Sequence, residues 1–152
     1  YNTMSKTNEI YAYFRLSGVD LDPDEITKIV GVKPTQTWKT GDVVVRSRGK
    51  PTIRKFSVWK VKSKLAPSEE LDPTRELEIH IESVFEQLQP GWQQLAQISY
   101  QYEALICCVV YAYSHVPAIS FNQQIIQKAS ELSAGIDLDM YCRLNWKKQE
   151  QE

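Results

Sequence analysis

Ten consecutive residues, 104–113, constrain the fold of this chain more than any other stretch. They carry no charge, are rich in β-branched and aromatic types, and are apolar at both sets of alternating positions. A run of that length, bounded by Glu103 and Ser114, favours a strand covered on both faces over a helix. The sequence therefore predicts a central strand around which the other elements pack.

The totals predict one domain in a reducing cytosol. The chain has 152 residues, 42% of them hydrophobic and 24% charged, which is enough for a sizeable core. No stretch approaches the roughly 18–20 apolar residues of a membrane span, and the N-terminus lacks the apolar segment of a signal peptide. Three cysteines, two of them adjacent, argue against a disulfide framework and favour thiols in a reducing compartment. We expect residues 1–9 to be a disordered or cloning-derived N-terminus, 10–146 a single α+β domain, and 147–152 a flexible tail.

The first half of the chain reads as strand, helix and hairpin. In residues 10–17 the apolar side chains alternate with polar or tyrosine side chains, which predicts a strand with one core face. Asp22 and Pro23 open a helix that Gly31 ends. Residues 43–46 and 52–62, joined by a turn that contains Gly49, predict a basic β-hairpin.

The second half reads as a helical pair, the apolar strand, a helix and a final strand. Asp72 and Pro73 predict a helix start, and Pro90-Gly91 divides that helix from a shorter one that ends near residue 98. Ser120 and Gln123 form the pattern of a capping box at the start of another helix. Residues 136–142 alternate, which predicts a strand with its apolar side chains inward: Ile136, Leu138, Met140 and Cys142.

These elements predict a ferredoxin-like antiparallel sheet built from two βαβ units, one in each half of the chain. The helices of 73–98 would be an insertion between the units, and the basic hairpin would lie on one flank. If one sheet face is open, Tyr11, Tyr13 and Arg15 on one strand lie beside Tyr111 and Tyr113 on another. The alternative is that the helices of 73–98 cover that face.

A combination of short motifs resembles a known family. The motifs are Leu-Asp-Pro-Asp-Glu-Ile-Thr from residue 21, Gly-Val-Lys-Pro-Thr from residue 31, Trp-Lys-Thr-Gly-Asp from residue 38, Trp59, and the Leu-Gln-Pro break that ends at Pro90. Over residues 10–143 the chain resembles the bacterial family called domain of unknown function 4279. The resemblance implies a small, cytosolic, single-domain bacterial protein, and it supplies no catalytic residues. By analogy, small bacterial domains of this kind serve as immunity proteins beside secreted toxins.

An uneven charge distribution suggests one possible binding surface. Residues 33–64 hold ten basic side chains and one acidic one, a net charge of +9, which leaves −10 for the rest of a chain with total charge −1. Basic side chains interleaved with aromatic rings are typical of surfaces that bind single-stranded nucleic acid. The candidate residues are Arg46, Arg48, Lys50, Arg54, Lys55, Trp59 and Lys60. The alternatives are that this ribbon is only solvated, or that the acidic segment 69–86 neutralises it within the fold.

The acidic side chains suggest a second surface, for a protein partner. A basic partner such as a nuclease toxin could dock on it, because complementary charge speeds association and selects the partner. The first functional expectation is accordingly a non-enzymatic binding protein, most concretely an immunity protein that neutralises a toxin by direct binding. The candidate residues are Glu76, Glu78, Glu82, Glu86, Asp137 and Asp139.

Motifs for catalysis, metals and cofactors do not stand out. The sequence has two histidines, His80 and His115, and no cluster with metal-ligand spacing. A nucleophile and base would have to come from distant loops, for example Cys142 with His115, and no glycine-rich phosphate loop is present. We therefore expect no catalytic residues, no metal and no cofactor, and an enzyme without a recognisable motif remains the last alternative.

Overall fold

Strand β1 (Glu9–Gly18) lies in the middle of a five-stranded sheet in the computed structural model, which describes residues 6–66 and 71–144. Across the sheet the order is β2 (Gln36–Trp38), β5 (Ser57–Lys62), β1, β6 (Glu103–Ala112) and β7 (Ala134–Cys142). Two short strands, β3 (Val43–Val44) and β4 (Thr52–Ile53), pair apart from it. The helices are α1 (Pro23–Val30), α2 (Glu76–Leu88), α3 (Trp92–Ser99) and α4 (Gln123–Glu131), with a 3₁₀ turn at Gln89–Gly91.

The sheet is mixed, so the prediction of a wholly antiparallel sheet is wrong. β1 is antiparallel to both of its neighbours, β5 and β6, and β2 is antiparallel to β5. β7 runs parallel to β6 along nine residue pairs, from Ala104↔Ala134 to Ala112↔Cys142. A parallel neighbour requires a crossover connection, and α4 provides it.

The connections also differ from those predicted. The elements of 104–142 do not interleave with the first half, because α4 returns the chain to the free side of β6 while β1 occupies the other side. The pair α2 and α3 is the connection between β5 and β6 rather than an insertion between complete units. The middle strand is therefore β1, and the apolar strand β6 lies beside it.

The predicted hairpin is shorter than its sequence pattern indicated. Only Val43–Val44 and Thr52–Ile53 pair with each other. The second arm is interrupted after Ile53, and residues 57–62 leave it to form β5 between β1 and β2. The reason is the apolar side of β5, where Trp59 and Val61 are wholly buried.

The capping signals in the sequence are confirmed at α1 but differ from the structure at α2 and α4. The signals for α1 are confirmed, since the Asp22 carboxylate accepts the Asp24 N–H and Gly31 has a φ of 72°. Asp72 instead accepts from Thr74 in a turn, and α2 begins later, at Glu76. At α4 the cap is Asn122, whose side chain accepts the Ile125 N–H, rather than Ser120.

All four helices pack on one side of the sheet. Along β1 the side chains of Ile10, Ala12, Phe14 and Leu16 are buried in one core cluster with apolar residues of the helices. The helical members of this cluster include Ile26, Leu77, Ile81, Leu88, Leu95 and Ile125. The other side of β1 is outside this cluster, so the helices leave one sheet face uncovered. None of the helices in the described parts of the chain is long and apolar enough to cross a membrane.

The prediction that β7 points its apolar residues inward is only partly right. Ile136 packs against the core, whereas Leu138, Met140 and Cys142 are exposed, Leu138 to 44%. β7 is an edge strand, and the residues that pack against the core, Ala134 and Ile136, lie near its start. Alternation in the sequence identifies the two faces of a strand but not whether the second layer extends over its full length.

Replacing Gly91 by alanine tests the contact between the 3₁₀ turn and α1. A Cβ at Gly91 would overlap the backbone oxygen of Val30, which cannot move as a flexible side chain could. We expect Gly91→Ala to lower the free energy of unfolding by about 1–3 kcal/mol, as overpacking does elsewhere. Urea unfolding measures it, and Gln94→Ala on the exposed side of α3 should change it by less than about 0.5 kcal/mol. Equal stability of the two variants would mean that the turn does not press on α1.

Candidate functional site

The uncovered sheet face, called the open face below, carries tyrosines and lysines around a few apolar residues. Because side chains alternate along strands, the pairing of the strands brings one set from each strand to this face. Its small members, Val58, Cys107 and Val109, are buried although they do not belong to the core cluster. Larger side chains surround them: Tyr11, Tyr13, Arg15, Trp38, Lys60, Lys62, Tyr111, Asp137, Asp139 and Tyr141.

Aromatic rings on the open face are stacked in two groups. On β1 the ring centroids of Tyr11 and Tyr13 are 6.4 Å apart. On the other side, Tyr111 lies 4.6 Å from Tyr141 and 6.1 Å from Tyr113, with nearly parallel planes. The rings therefore form two stacked groups, one on β1 and one made of Tyr111, Tyr113 and Tyr141.

Basic side chains lie directly over several of these rings. The Lys60 Nζ is 3.9 Å from the centroid of Tyr13, and the Lys62 Nζ is 4.1 Å from that of Tyr11. The Arg54 guanidinium lies 4.1 Å from the Trp38 centroid. Such contacts hold a cation near an apolar surface through the negative charge of the ring face.

The cations at the centre of the open face crowd one another. Burial lowers the pKa of Lys60, and the positive charges of Lys62 and Arg15 lower it further. Burial also raises the pKa of Tyr13, with Cys107 beside it, so Tyr13 stays a neutral phenol. An anion bound at this point would relieve the repulsion among the three cations.

Few carboxylates reach this basic region. Within the described residues its ion pairs are Arg15 with Glu103 at 3.4 Å and Lys39 with Asp24 at 2.8 Å. The acidic helix α2 pairs instead with Arg75, through Glu78 at 3.0 Å and Glu82 at 2.9 Å. One alternative was that the acidic residues of α2 neutralise the basic hairpin. No ion pair among the described residues joins α2 to the hairpin, and Glu69 and Glu70 lie outside the described residues.

The nucleic-acid candidates fall into a group of exposed or half-buried residues and one buried residue. Lys60 is on the open face, and Arg54 and Lys55 adjoin it. Arg46, Arg48 and Lys50 are exposed in the turn of the hairpin. Trp59 is 0% exposed, and its indole N–H donates to the Thr27 hydroxyl at 2.9 Å, so it is unavailable to a ligand. Trp38, which sequence reasoning did not choose, lies on the open face, where its pairing with Val58 places it.

The acidic candidates are not brought together. Glu82 and Glu86 are exposed and Glu76 is half-buried on α2. Glu78 is only 8% exposed and accepts a hydrogen bond from the Ser120 hydroxyl as well as pairing with Arg75. Asp137 and Asp139 lie on the open face, on the opposite side of the sheet from α2. One partner surface cannot include both groups without wrapping round the edge at β7.

A serine and a histidine that sequence reasoning did not connect lie side by side. The Ser63 Oγ is 2.8 Å from the His80 Nδ1, and the Ala12 N–H donates to the same oxygen at 3.2 Å. Burial lowers the pKa of His80, and Lys62 adds to the effect. The pair joins the end of β5 to α2 and to β1. No group of three or more His, Cys, Asp or Glu side chains in the described chain is placed to hold a metal ion.

Comparison with known protein families shows which family this α+β protein belongs to. A model described as domain of unknown function, DUF4279, matches residues 8–143. The match covers most of the chain, so the protein belongs to that family, as its motifs predicted. No curated protein and no solved structure matches the chain. The family description assigns no activity, and the functional argument therefore depends on the open face.

Thiol labelling tests how the open face is packed. Cys107 lies on this face opposite Tyr13 in the strand pairing, and burial raises its pKa. Burial raises the pKa of Cys108, on the core side, to about 12. Because the thiolate is the reactive species, we expect iodoacetamide at pH 8 to modify exposed Cys142 about 10²-fold faster than either. Peptide mass spectrometry follows each site, and in urea all three should react alike. Rapid labelling of Cys107 in the folded protein would mean that the tyrosine layer does not shield it.

Proposed function

We propose that this is a non-enzymatic binding protein that holds single-stranded nucleic acid on its open face and the adjoining hairpin. The observation that carries the proposal is a cationic tract of exposed or half-buried basic residues beside stacked aromatic rings. Few carboxylates in the described chain lie within ion-pair distance of it. Its members are Arg15, Arg46, Arg48, Lys50, Arg54, Lys55, Lys60 and Lys62.

A single strand matches this arrangement better than a duplex does. Phosphates bind the cations and release counterions, while unpaired bases stack on aromatic side chains. In the free protein Lys60 and Lys62 lie over Tyr13 and Tyr11. An arriving base takes the place of the ammonium group on the ring, and the ammonium group then pairs with the neighbouring phosphate.

The acidic residues of β7 limit the path of the strand. Asp137 and Asp139 lie on the open face beyond β6 and would repel phosphates. The nucleic acid therefore follows β5 and β1 towards the hairpin, away from β7. A cytosolic location accompanies this proposal, and the three free cysteines support it.

We also infer a ferredoxin-like core, although from elements other than those predicted. The supporting facts are the order β2-β5-β1-β6 and the antiparallel direction of each neighbouring pair. In this arrangement α1 and the α2–α3 pair are the two crossovers, and α4 with β7 is an addition. Four-stranded sheets of RNA-recognition modules likewise stack bases on aromatic residues of one face, which is an analogy of architecture. Amide-proton contacts measured by NMR between β2 and β5 and between β1 and β6 test it; their absence would overturn it.

Salt dependence and paired charge variants test the nucleic-acid function. A labelled oligonucleotide of about 12 nucleotides that contacts about five phosphates should lose about 10²-fold in affinity between about 50 and 200 mM salt. Lys60→Gln with Lys62→Gln should weaken binding and reduce the slope of log affinity against log salt by about 0.7 for each phosphate that the variant no longer neutralises. Fluorescence anisotropy measures both quantities.

The matched control removes the same charge from the helical side. Lys28 on α1 and Lys128 on α4 lie in the last turns of their helices. Lys28→Gln with Lys128→Gln should leave the affinity and the salt slope close to those of the parent protein. Equal losses in both double variants would show only nonspecific attraction, and no binding by the parent protein at about 50 mM salt would reject the function.

A protein partner is the second candidate, and the exposed edge strand β7 favours it. Leu138, Met140 and Tyr141 are all exposed there, beside Asp137 and Asp139. An uncovered edge with apolar side chains is a common place for another chain to pair. An immunity protein that neutralises a basic toxin by direct binding remains the most concrete form of this candidate.

Variants of the edge strand separate this candidate from the first. A toxin-like partner captured from nuclease-treated lysate should be lost with Leu138→Lys and retained with Glu86→Lys, which lies on the exposed side of α2. Glu78→Lys is unsuitable, because Glu78 is buried against Arg75 and Ser120. Capture that is insensitive to Leu138→Lys would reject the edge as the docking site.

A further inference from the structure

A cleft of about 520 Å³ lies where the open face meets the base of the β3–β4 hairpin. Its walls come from the end of β1, the start of β5, β2 and the segment that links β4 to β5. That volume is within the range of roughly 300–1,000 Å³ that small-molecule sites occupy. The lining residues that bear on its chemistry are Arg15, Trp38, Arg54, Lys55, Phe56 and Glu103.

Arg15 is the anchoring group of the cleft. Its Nε is buried and has no hydrogen-bond partner among the described residues. Its Nη2 reaches Glu103 at 3.4 Å, a long contact, and the Glu103 side chain is 66% exposed. A buried donor without an acceptor is costly, and a guanidinium presents donors in a fork that matches the oxygens of a phosphate.

Two further cations and two aromatic rings complete the site. The lining carries three positive charges, on Arg15, Arg54 and Lys55, and one negative charge, on Glu103. The cleft therefore has an excess of two positive charges. The Trp38 ring lies beneath the Arg54 guanidinium at 4.1 Å. Phe56 lines the same cleft and is 54% exposed, an uncommon state for a large apolar ring. The cleft therefore combines an anion-binding end with flat apolar surface.

We infer that this cleft binds one nucleoside monophosphate unit. The phosphate accepts from the Arg15 fork and is paired by Arg54 or Lys55, while the base packs on Phe56 beside Trp38. Within the function proposed above, on which this inference rests, the unit is one nucleotide of the bound strand, and the cleft sets the register of the rest. Inorganic phosphate would fill only the cationic end, and a nucleoside only the aromatic end.

The test compares three probes by NMR titration of the full chain. Uridine 5′-monophosphate should shift the amide signals of residues 15–18 and 54–58 and bind about tenfold more tightly than either uridine or inorganic phosphate. Arg15→Lys keeps the charge but removes the fork, and should weaken the monophosphate about tenfold. Arg143→Lys, the same change at an exposed position after β7 and outside the cationic tract, should have no effect.

Phe56→Ala is the second variant, and it remains informative if Arg15→Lys fails to fold. We expect it to weaken the monophosphate about fivefold or more without changing the binding of inorganic phosphate. Its control is Val45→Ala, which also shortens an exposed apolar side chain of this segment. Circular dichroism confirms that each variant is folded.

Each outcome decides between the cleft and the wider function. If an oligonucleotide binds but the monophosphate does not, and Phe56→Ala leaves oligonucleotide affinity unchanged, the cleft assignment is overturned and the nucleic-acid function stands. A second outcome is that the monophosphate binds, that Arg15→Lys and Phe56→Ala both weaken its binding, and that oligonucleotides do not bind. In that case the cleft assignment stands and the nucleic-acid function is rejected. Equal affinity for inorganic phosphate and the monophosphate overturns the contact between base and Phe56. If neither the monophosphate nor the oligonucleotide binds, both proposals are rejected.

Discussion

The burial of one side of β1 determines how the rest of the molecule is arranged. Ala12, Phe14 and Leu16 are fully buried in the core, together with Ile81, Val84 and Leu88 of α2. Each large side chain that moves from water into such a core contributes about 1.5–3 kcal/mol, so the helices gather where these apolar residues are. Because all the helices pack on that side, the opposite side of the same strand is left to the solvent or to a ligand.

The open face is stable for a different reason. Its small apolar residues, Cys107 and Val109, lie opposite Tyr13 and Tyr11 in the pairing of β1 with β6. The tyrosine rings flank these residues across the strand pair, and the side chains of Lys60 and Lys62 lie over the rings. A face built in this way excludes water from its base without a second layer, and it keeps charged groups and phenols at its surface. Burial in this layer lowers the pKa of Lys60, and the neighbouring positive charges of Lys62 and Arg15 lower it further.

Much of the element-level prediction could be made from local patterns. The two sides of β1, the caps of α1 and the break at Pro90-Gly91 all follow from residues close together in the chain. The apolar run 104–113 is a strand, as its pattern predicts. No helix covers its second face, where Cys107 and Val109 are buried because larger neighbouring side chains surround them. Trp59 was grouped with the basic residues by proximity in sequence. Its position opposite Leu16 places it in the core, a fact that only strand pairing determines.

By itself, the sequence determined the family, the α+β class and the excess of positive charge in residues 33–64, because motifs, periodicity and charge are properties of the chain alone. Tertiary structure decided which sheet face the helices cover, where β7 pairs and which basic side chains surround a common cleft. Those outcomes depend on contacts between residues far apart in the chain: Arg15 meets Glu103, and Arg54 meets Trp38.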